Sequence, residues 1–477
     1  MKSINQFSTD IIPLDARYYD SNKHCFTEWY PEPHYQLDYE SICVFAACGF
    51  FLGDTTFFRE LKTLAPATRY TIKGHKLHKE PTWSWTYEPD DLTLERATDL
   101  FESIFDSLVA RAIAKKRIIL PLSGGLDSRS LAAAIPEDRR HDVCSYSYAF
   151  EKGVDEPFYG KRIAEVKGFS FESFNIPRES LWRHIDTLAD LNHCFSEFTH
   201  PRQIAIKHWL DSICNRNSIL LLGHWGDVLF DGADVPDSLP EEEIAGYLKK
   251  GILKKGGSEL GRALWRHWGL EGDFDRYLHA RIRTLAGEIN IKNARSKIRA
   301  FKSIHWAPRW TSTNLSVFSD AGPVFLPYYQ REICELITRI PEEILSGRKI
   351  QIEYIKRKST ALAKIPWQAF SPCHLYNYGD FSSFKNLPGR VIRKLSRITS
   401  EKVFGRKLIQ RNWENQFHGA FNEAQLKQYL YHGALTQHVD KQLIQQFYRA
   451  FQFEDSVHYA HVISMLLTLA VFFERQQ

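Results

Sequence analysis

The string SGGLDS at 123–128 directly follows the apolar run 118–122. Its two glycines, two serines and one aspartate are residues that suit phosphate binding. Gly124 and Gly125 lack a Cβ, so the backbone there can approach phosphate oxygens closely. The residues that follow are predicted to form a helix, and the unpaired N–H groups of a helix's first turn attract anions. The Asp127 carboxylate can hold Mg²⁺ beside the phosphates. The string therefore predicts a phosphate site formed by Ser123, Gly124, Gly125 and Ser128.

Alternating strand-like and helix-like stretches predict the elements that position this string. Strands are predicted at 118–122, 143–150, 169–174 and 219–222, with helical patterns between them. Strands that alternate with helices indicate an α/β fold with a doubly wound parallel sheet, in which ligands bind at the carboxyl ends of the strands.

SGGLDS resembles the pyrophosphate loop (PP-loop) of the adenine nucleotide alpha hydrolase-like enzymes that split ATP into AMP and pyrophosphate, and it lacks the Lys-Ser/Thr ending of a Walker loop. About 100 residues later, GHWGDVLFDG at 223–232 follows the predicted strand 219–222. This second string resembles the asparagine synthetase string Ser-Gly-Glu-Gly-x-Asp-Glu-Leu-Phe-Gly-Gly. The resemblance covers residues 50–370 and is strong only at the two strings.

The resemblance implies a reaction class and a set of roles. ATP and Mg²⁺ would bind, a carboxylate would attack the α-phosphate to form an acyl-AMP, and an amine would displace AMP to leave an amide. Asp127 would act in catalysis, and Asp127 and Asp227 would hold Mg²⁺. Four further residues would line the adenosine: Leu122, Tyr148, Leu222 and Gly223.

Two departures from the asparagine synthetase pattern argue against free aspartate as the substrate: His224 stands where the family has a Glu, and Val228 replaces its second Glu. Trp225 also stands where the family has a glycine, and Tyr329 where it often has an Asp. The His224 imidazole, with an ordinary pKa near about 6.5, could deprotonate an attacking amine or could only hydrogen-bond within the loop. The family also has a lysine that neutralises the adenylate, but 367–380 contains none. Lys364 is taken for that role, with Lys356 and Lys358 as alternatives.

Residues 1–90 are predicted to form a small β-rich domain that resembles a shortened glutaminase domain, with a strand beginning at Cys43. The family's nucleophile is a cysteine at position 2, and Lys2 occupies that position here, so we expect no glutaminase activity. Residues 91–477 are predicted to form the synthetase domain, with an α/β core at 115–235 and a mostly helical part at 236–477.

The composition bounds these interpretations. The 477 residues are 43% hydrophobic and 25% charged, which is typical of a globular chain, and the net charge of +5 does not by itself indicate nucleic acid. Eight scattered cysteines without zinc spacing favour a reduced, cytoplasmic protein. The apolar run Val462 to Phe473 is predicted to be a buried helix too short to span a membrane. The basic stretch 385–411 is either a solvated face or a docking surface.

Three functions remain open from the sequence. The first is an AMP-forming amide ligase that uses ammonia or another amine, drawn from a separate ammonia source or carrier. The second is a tailoring amide synthetase or cyclase for a peptide, an antibiotic or a surface polysaccharide, similar to β-lactam synthetase or lasso-peptide cyclase. The third is a non-catalytic ATP-binding partner protein.

Overall fold

The computed structural model describes residues 6–12, 17–151, 155–198, 202–382 and 416–477. Lys2 and the basic stretch 385–411 lie outside the described residues, so the predictions that concern them stay predictions. The strands of the described part are β1 (Gln6–Ser8), β2 (Tyr18–Asp20), β3 (Cys25–Thr27), β4 (Leu61–Thr63), β5 (Thr68–Lys73), β6 (Lys76–Pro81), β7 (Arg117–Pro121), β8 (Val143–Phe150), β9 (Ser170–Ile176), β10 (Ser218–Leu221) and β11 (Val324–Phe325).

Helices fill the connections and most of the second half of the described chain. Up to residue 363 they are α1 (Tyr39–Cys48), α2 (Leu94–Ile113), α3 (Leu126–Ala134), α4 (Glu156–Lys167), α5 (Ser180–Asn192), α6 (Lys207–Ile213), α7 (Gly226–Leu229), α8 (Glu241–Ile252), α9 (Gly257–His267), α10 (Phe274–Gly287), α11 (Ala294–Phe301), α12 (Ser312–Asn314), α13 (Ser316–Ala321), α14 (Arg331–Arg339), α15 (Glu342–Leu345), α16 (Lys349–Lys358) and α17 (Thr360–Ala363). A π-helical turn, Lys302–Thr311, joins α11 to α12. The C-terminal part contains Ala420–Lys427, Leu435–His438, Lys441–Arg449 and Ser456–Glu474.

The predicted α/β fold with a doubly wound parallel sheet is confirmed. Five parallel strands lie in the order β11-β10-β7-β8-β9, and the remaining six form two antiparallel sheets of three strands each. The chain runs from β7 outward to β9, then returns to the other side of β7 with β10. The direction of winding therefore reverses between β7 and β10, which is the position where ligands bind in such sheets. SGGLDS follows β7 and GHWGD follows β10, so both strings lie at this switch point.

Helix α1 corrects the strand predicted to begin at Cys43. Residues 41–48 are all buried; the Asp38 carboxylate caps the helix by accepting from the Ser41 N–H at 3.1 Å, and Gly49 ends it with φ +78°. The helix packs against α9, where a Cβ on Gly257 would overlap the carbonyl oxygen of Ala47. A run that is apolar on every face has no period to distinguish a helix from a strand, so only packing decided this element.

The buried C-terminal helix confirms one prediction and corrects another. Ser456–Glu474 is 19 residues long and by length and composition could cross a membrane, so it is longer than the run Val462 to Phe473 suggested. Its residues 460–473 are all buried within the protein. Packing in the core therefore accounts for its apolar character.

A buried ion pair fixes α11 against α15. The side chains of Arg299 and Glu342 are 3% and 0% exposed. The Arg299 guanidinium donates to both carboxylate oxygens, at 2.7 Å from Nη2 to Oε2. Removing one member of such a pair leaves an unpaired charge in the interior, which costs more than the pair itself contributes.

We expect Glu342→Gln to lower the free energy of unfolding by about 3 kcal/mol, because Arg299 would stay buried without its counter-charge. Glu332→Gln is the matched control, because Glu332 and its partner Arg111 are 46% and 64% exposed. Its loss should cost less than about 1 kcal/mol. Urea denaturation of both variants measures the difference, and equal losses would contradict the role given to the buried pair.

Candidate active site

The loop between β7 and α3 leaves the helix N-terminus open. Gly125 is the residue before the helix, and no side chain caps it. Within the loop the Ser123 N–H donates to Ser128 Oγ at 3.1 Å, and the two serine hydroxyls lie 3.0 Å apart. The serines therefore shape the loop by bonding to each other, while the first turn of α3 keeps its anion-attracting N–H groups.

Two glycines of the second string allow it to pack directly on Asp127. A Cβ on Gly226 would overlap Asp127 Oδ1 and lie 2.7 Å from its Cγ. A Cβ on Gly223 would lie 3.1 Å from the Asp127 Cβ. Gly223 was predicted to line the adenosine; the structure shows that it also permits this close packing.

Asp127 is held by a network that the sequence did not reveal. The guanidinium of Arg348 donates to Asp127 Oδ1, and Gln351 Nε2 donates to the same oxygen at 2.9 Å. Gln351 also bonds the Tyr328 hydroxyl at 3.0 Å. Arg348 lies 221 residues from Asp127 in sequence, in a left-handed conformation (φ +59°) just before α16, and no motif marks it.

The joint binding of one metal by Asp127 and Asp227 stays a prediction, but the charge of Asp227 acts on Asp127. Burial raises the pKa of Asp127 to about 6, and the charge of Asp227 adds to this rise. The charge of Arg348 acts in the opposite direction. Asp227 lies in the first turn of α7 with its side chain exposed. Two carboxylates thus act on each other at the switch point of the sheet.

Lys302 is a further cation at this place that sequence reasoning missed. Burial lowers the pKa of Lys302, and the charge of Arg299 lowers it further. The charges of Asp227 and Asp231 act in the opposite direction. Lys302 begins the π-helical turn after α11. The negative charge of Asp227 stabilises the Lys302 ammonium. Nothing in the sequence around Lys302 distinguishes it from a surface lysine.

The two aspartates are suitable ligands for a Mg²⁺ ion whose other ligands are the phosphate oxygens of a substrate. Mg²⁺ commonly takes one or two protein carboxylates and fills its other positions with phosphate oxygens and water. The repulsion that helps raise the pKa of Asp127 is the charge pattern that a cation would relieve. Within the described residues no group of three or more His, Cys, Asp or Glu side chains forms a complete protein cage for a metal.

His224 is a neutral imidazole at neutral pH. Burial lowers its pKa to about 4, against the opposing charge of Asp227. Its Nδ1 is buried without a hydrogen-bond partner, and its ring lies 6.3 Å from that of Phe318. The imidazole can accept a proton at pH 7, but its lowered pKa makes it a weaker base than an ordinary histidine.

Trp225 keeps the backbone conformation of the glycine it replaces. Its φ is +78°, in the left-handed region that costs a non-glycine residue about 1 kcal/mol or more. The indole N–H donates to Ser303 Oγ at 3.1 Å, and the ring stacks on Tyr329 with centroids 5.9 Å apart. Packing therefore compensates for the backbone strain, and two of the departures in sequence are in contact.

The predicted adenosine-lining residues lie around the same strand ends. Leu122 and Leu222 are buried in the core of the parallel sheet. Tyr148 lies on β8, half-buried, and burial raises its pKa. Their contact with a nucleotide stays a prediction.

Lys364 lies at the end of α17 with its side chain exposed, so the structure does not bring it to Asp127 through any direct contact of the described residues. The buried neighbour of this segment is Arg129, which donates to the carbonyl oxygens of Ile365 and Pro366, each at 2.9 Å. Arg129 thereby fixes the chain after α17 against the first turn of α3. The catalytic role of Lys364 stays a prediction.

The segment that Arg129 fixes also covers part of the loop. The Gln368 N–H donates to the Gly124 carbonyl oxygen at 3.2 Å. A Cβ on Gly124 would lie 2.5 Å from that of Gln368 and 2.9 Å from Cγ of Tyr159. The glycine is thus required by this close packing, and a phosphate at Gly124 would share space with Gln368.

The helix N-terminus without a side-chain cap and the two strings lie together at the switch point of the sheet. Residues 100–321, slightly less than half of the chain and inclusive of both strings, match the family model described as asparagine synthase. The resemblance found in the sequence is confirmed over these residues.

Comparison with solved structures and with curated proteins gives no further argument about function. The NMN synthetase from Francisella tularensis is similar at 12% sequence identity, over 44% of this chain and 93% of that one, with a TM-score of 0.23. At that TM-score the similarity carries no argument about function. No curated protein matches the chain.

We expect Gly226→Ala to lower the free energy of unfolding by about 1–3 kcal/mol, because its methyl group would overlap the Asp127 carboxylate. Gly246→Ala is the control, since Gly246 is exposed on α8 and a Cβ there would have no atom within 4 Å. That change should stabilise by up to about 1 kcal/mol through helix propensity. Thermal and urea unfolding test both, and a neutral Gly226→Ala would contradict the close packing of the two strings.

Proposed function

We propose that the protein is an ATP-dependent ligase that activates a carboxylate as an acyl-adenylate and transfers the acyl group to an amine. The observation that supports the proposal is that Gly226, the residue before Asp227, packs directly on the Asp127 carboxylate in the uncapped first turn of α3. The asparagine synthase match over residues 100–321 supports the same chemistry.

The proposed reaction has two displacements. A carboxylate oxygen attacks the α-phosphorus of ATP and pyrophosphate leaves; an amine then attacks the acyl carbon, AMP leaves, and the amine loses a proton. Gly125 and the first N–H groups of α3 would hold the pyrophosphate, and Gln368 would have to move for a phosphate to reach Gly124. Mg²⁺, bound through Asp127 and Asp227, would offset charge on the phosphate oxygens. We propose Lys302, whose ammonium is stabilised by the charge of Asp227, in place of the exposed Lys364 as the lysine that neutralises that charge.

Three residues support a substrate other than free aspartate. Neutral His224, together with stacked Trp225 and Tyr329, replaces two carboxylates and a glycine of the asparagine synthetase pattern. An aromatic and uncharged wall favours a larger or less polar carboxylate. The second candidate, a tailoring amide synthetase or cyclase for a peptide, antibiotic or surface polysaccharide, rests on this observation.

The amine is proposed to be ammonia or an organic amine from a separate source. Cys43 is buried on α1, and burial raises the pKa of its thiol, which disfavours the thiolate needed for glutamine cleavage. Cys25 lies on β3, and burial raises its thiol pKa as well. The eight cysteines, all within the described residues, form no disulfide, which supports the proposal of a cytoplasmic protein.

We expect exchange of labelled pyrophosphate into ATP that depends on an added carboxylate, with larger carboxylates more effective than aspartate. Asp127→Asn and Asp227→Asn should each slow exchange at least a hundredfold, because each removes a charge that faces the metal and phosphates. Asp99→Asn is the control, since Asp99 pairs with Arg357 away from the loop. Binding of ATP by the unaltered protein without exchange for any carboxylate tested would refute the ligase and leave the third function, a nucleotide-binding partner.

We expect Lys302→Met to slow pyrophosphate exchange at least tenfold while Lys364→Met leaves it unchanged. The Lys302 ammonium interacts with Asp227, whereas Lys364 is exposed at the end of α17. Steady-state exchange rates at saturating ATP measure both variants. The reverse ranking would restore Lys364 as the catalytic lysine and remove Lys302.

A further inference from the structure

A cavity of about 360 Å³ lies between the N-terminal segment and the helices that follow the π-helical turn. Its walls come from β2 and β4, from the end of α5, and from residues 308–320. The volume is within the range that small-molecule sites occupy. None of the residues assigned above to the candidate active site lines it.

The cavity is lined by a cation without an acidic partner. Arg309 donates from Nε at 2.8 Å and from Nη2 at 2.6 Å to one acceptor, the Gly53 carbonyl oxygen. No acidic side chain of the described residues forms an ion pair with it, and burial lowers its pKa to about 10. Asp54, which acts on this charge, is exposed and lies 3.8 Å from Lys79 Nζ. Arg309 is half-buried, and a partly desolvated positive charge with one carbonyl partner favours an anion beside it.

Unsatisfied polar side chains surround the same space. Four lining residues have a buried oxygen or nitrogen without a hydrogen-bond partner: Thr63 Oγ1, Asn192 Nδ2, Ser312 Oγ and Ser316 Oγ. Buried polar atoms almost always have partners, so these unpaired atoms in cavity-lining residues are available to a polar ligand. A hydroxyl or an amide N–H can donate to a carboxylate oxygen.

The opposite wall is aromatic. Tyr18 and Phe195 stack with centroids 5.8 Å apart, and the Phe51 ring meets Phe195 edge to face at 5.4 Å. All three line the cavity. A ligand that paired with Arg309 and packed against these aromatic rings would have an anionic head and a flat apolar body.

We propose that this cavity binds a small organic carboxylate with an aromatic or apolar body, whose carboxylate pairs with Arg309. The site is separate from the synthetase site, and the proposal does not depend on the ligase function. Arg17, which also lines the cavity, adds positive charge to its rim.

The test uses the full chain and 3-phenylpropionate as the probe, with 3-phenylpropanamide as a neutral probe of the same shape. Calorimetry and ligand-observed NMR should show the acid binding at least tenfold more tightly than the amide. Arg309→Gln should remove that preference. Arg281→Gln is the matched control, because Arg281 also holds the 52–55 loop, through the Leu52 carbonyl oxygen at 2.9 Å, but does not line the cavity. It should leave the preference intact.

A second variant keeps the test decisive if Arg309→Gln does not fold. Ser316→Leu fills the cavity from α13 and should abolish binding of both probes while synthetase activity is retained. Equal binding of acid and amide would overturn the proposal, as would no binding of either probe. Loss of the acid preference in Arg281→Gln to the same degree as in Arg309→Gln would also overturn it, since the effect would then come from the loop and not from the charge.

Discussion

The structure depends on bringing the Asp127 carboxylate into a largely enclosed position at the switch point of the parallel sheet. Burial alone would favour the protonated acid, and the charge of Asp227 adds to that tendency. Arg348 and Gln351 oppose it by donating to one carboxylate oxygen. Because the second string must pack against this carboxylate, residue 226 has to be a glycine. The loop, the helix start and the segment before α16 are therefore fixed by one charge.

Three arginines of this chain have different hydrogen-bond partners, and the partners indicate what each arginine does. Arg299 has a carboxylate partner, Glu342, and acts as a structural tie. Arg129 donates to backbone carbonyl groups and thereby holds the chain after α17 over the SGGLDS loop. Arg309 has one carbonyl group and a cavity. A cation whose partners are complete is structural, whereas one whose partners are incomplete favours a ligand.

The departures from the asparagine synthetase pattern form one physical group. Trp225 takes the left-handed backbone conformation that a glycine would adopt without strain, and its ring stacks on Tyr329. His224 beside it is kept neutral by burial. Charge and flexibility have been replaced together by buried aromatic side chains and a neutral imidazole.

The sequence by itself determined the parallel sheet, the strand–loop–helix unit at SGGLDS and the convergence of two strings, because these follow from local period and from strings of adjacent residues. It did not determine α1, because a run that is apolar on every face has no period. Nor did it determine Arg348, Gln351 or Lys302, whose partners lie far along the chain. Gly226 was visible as a glycine before an aspartate, but only tertiary packing showed why. Which charges meet depends on how distant segments close around one another, and single-chain patterns do not contain that information.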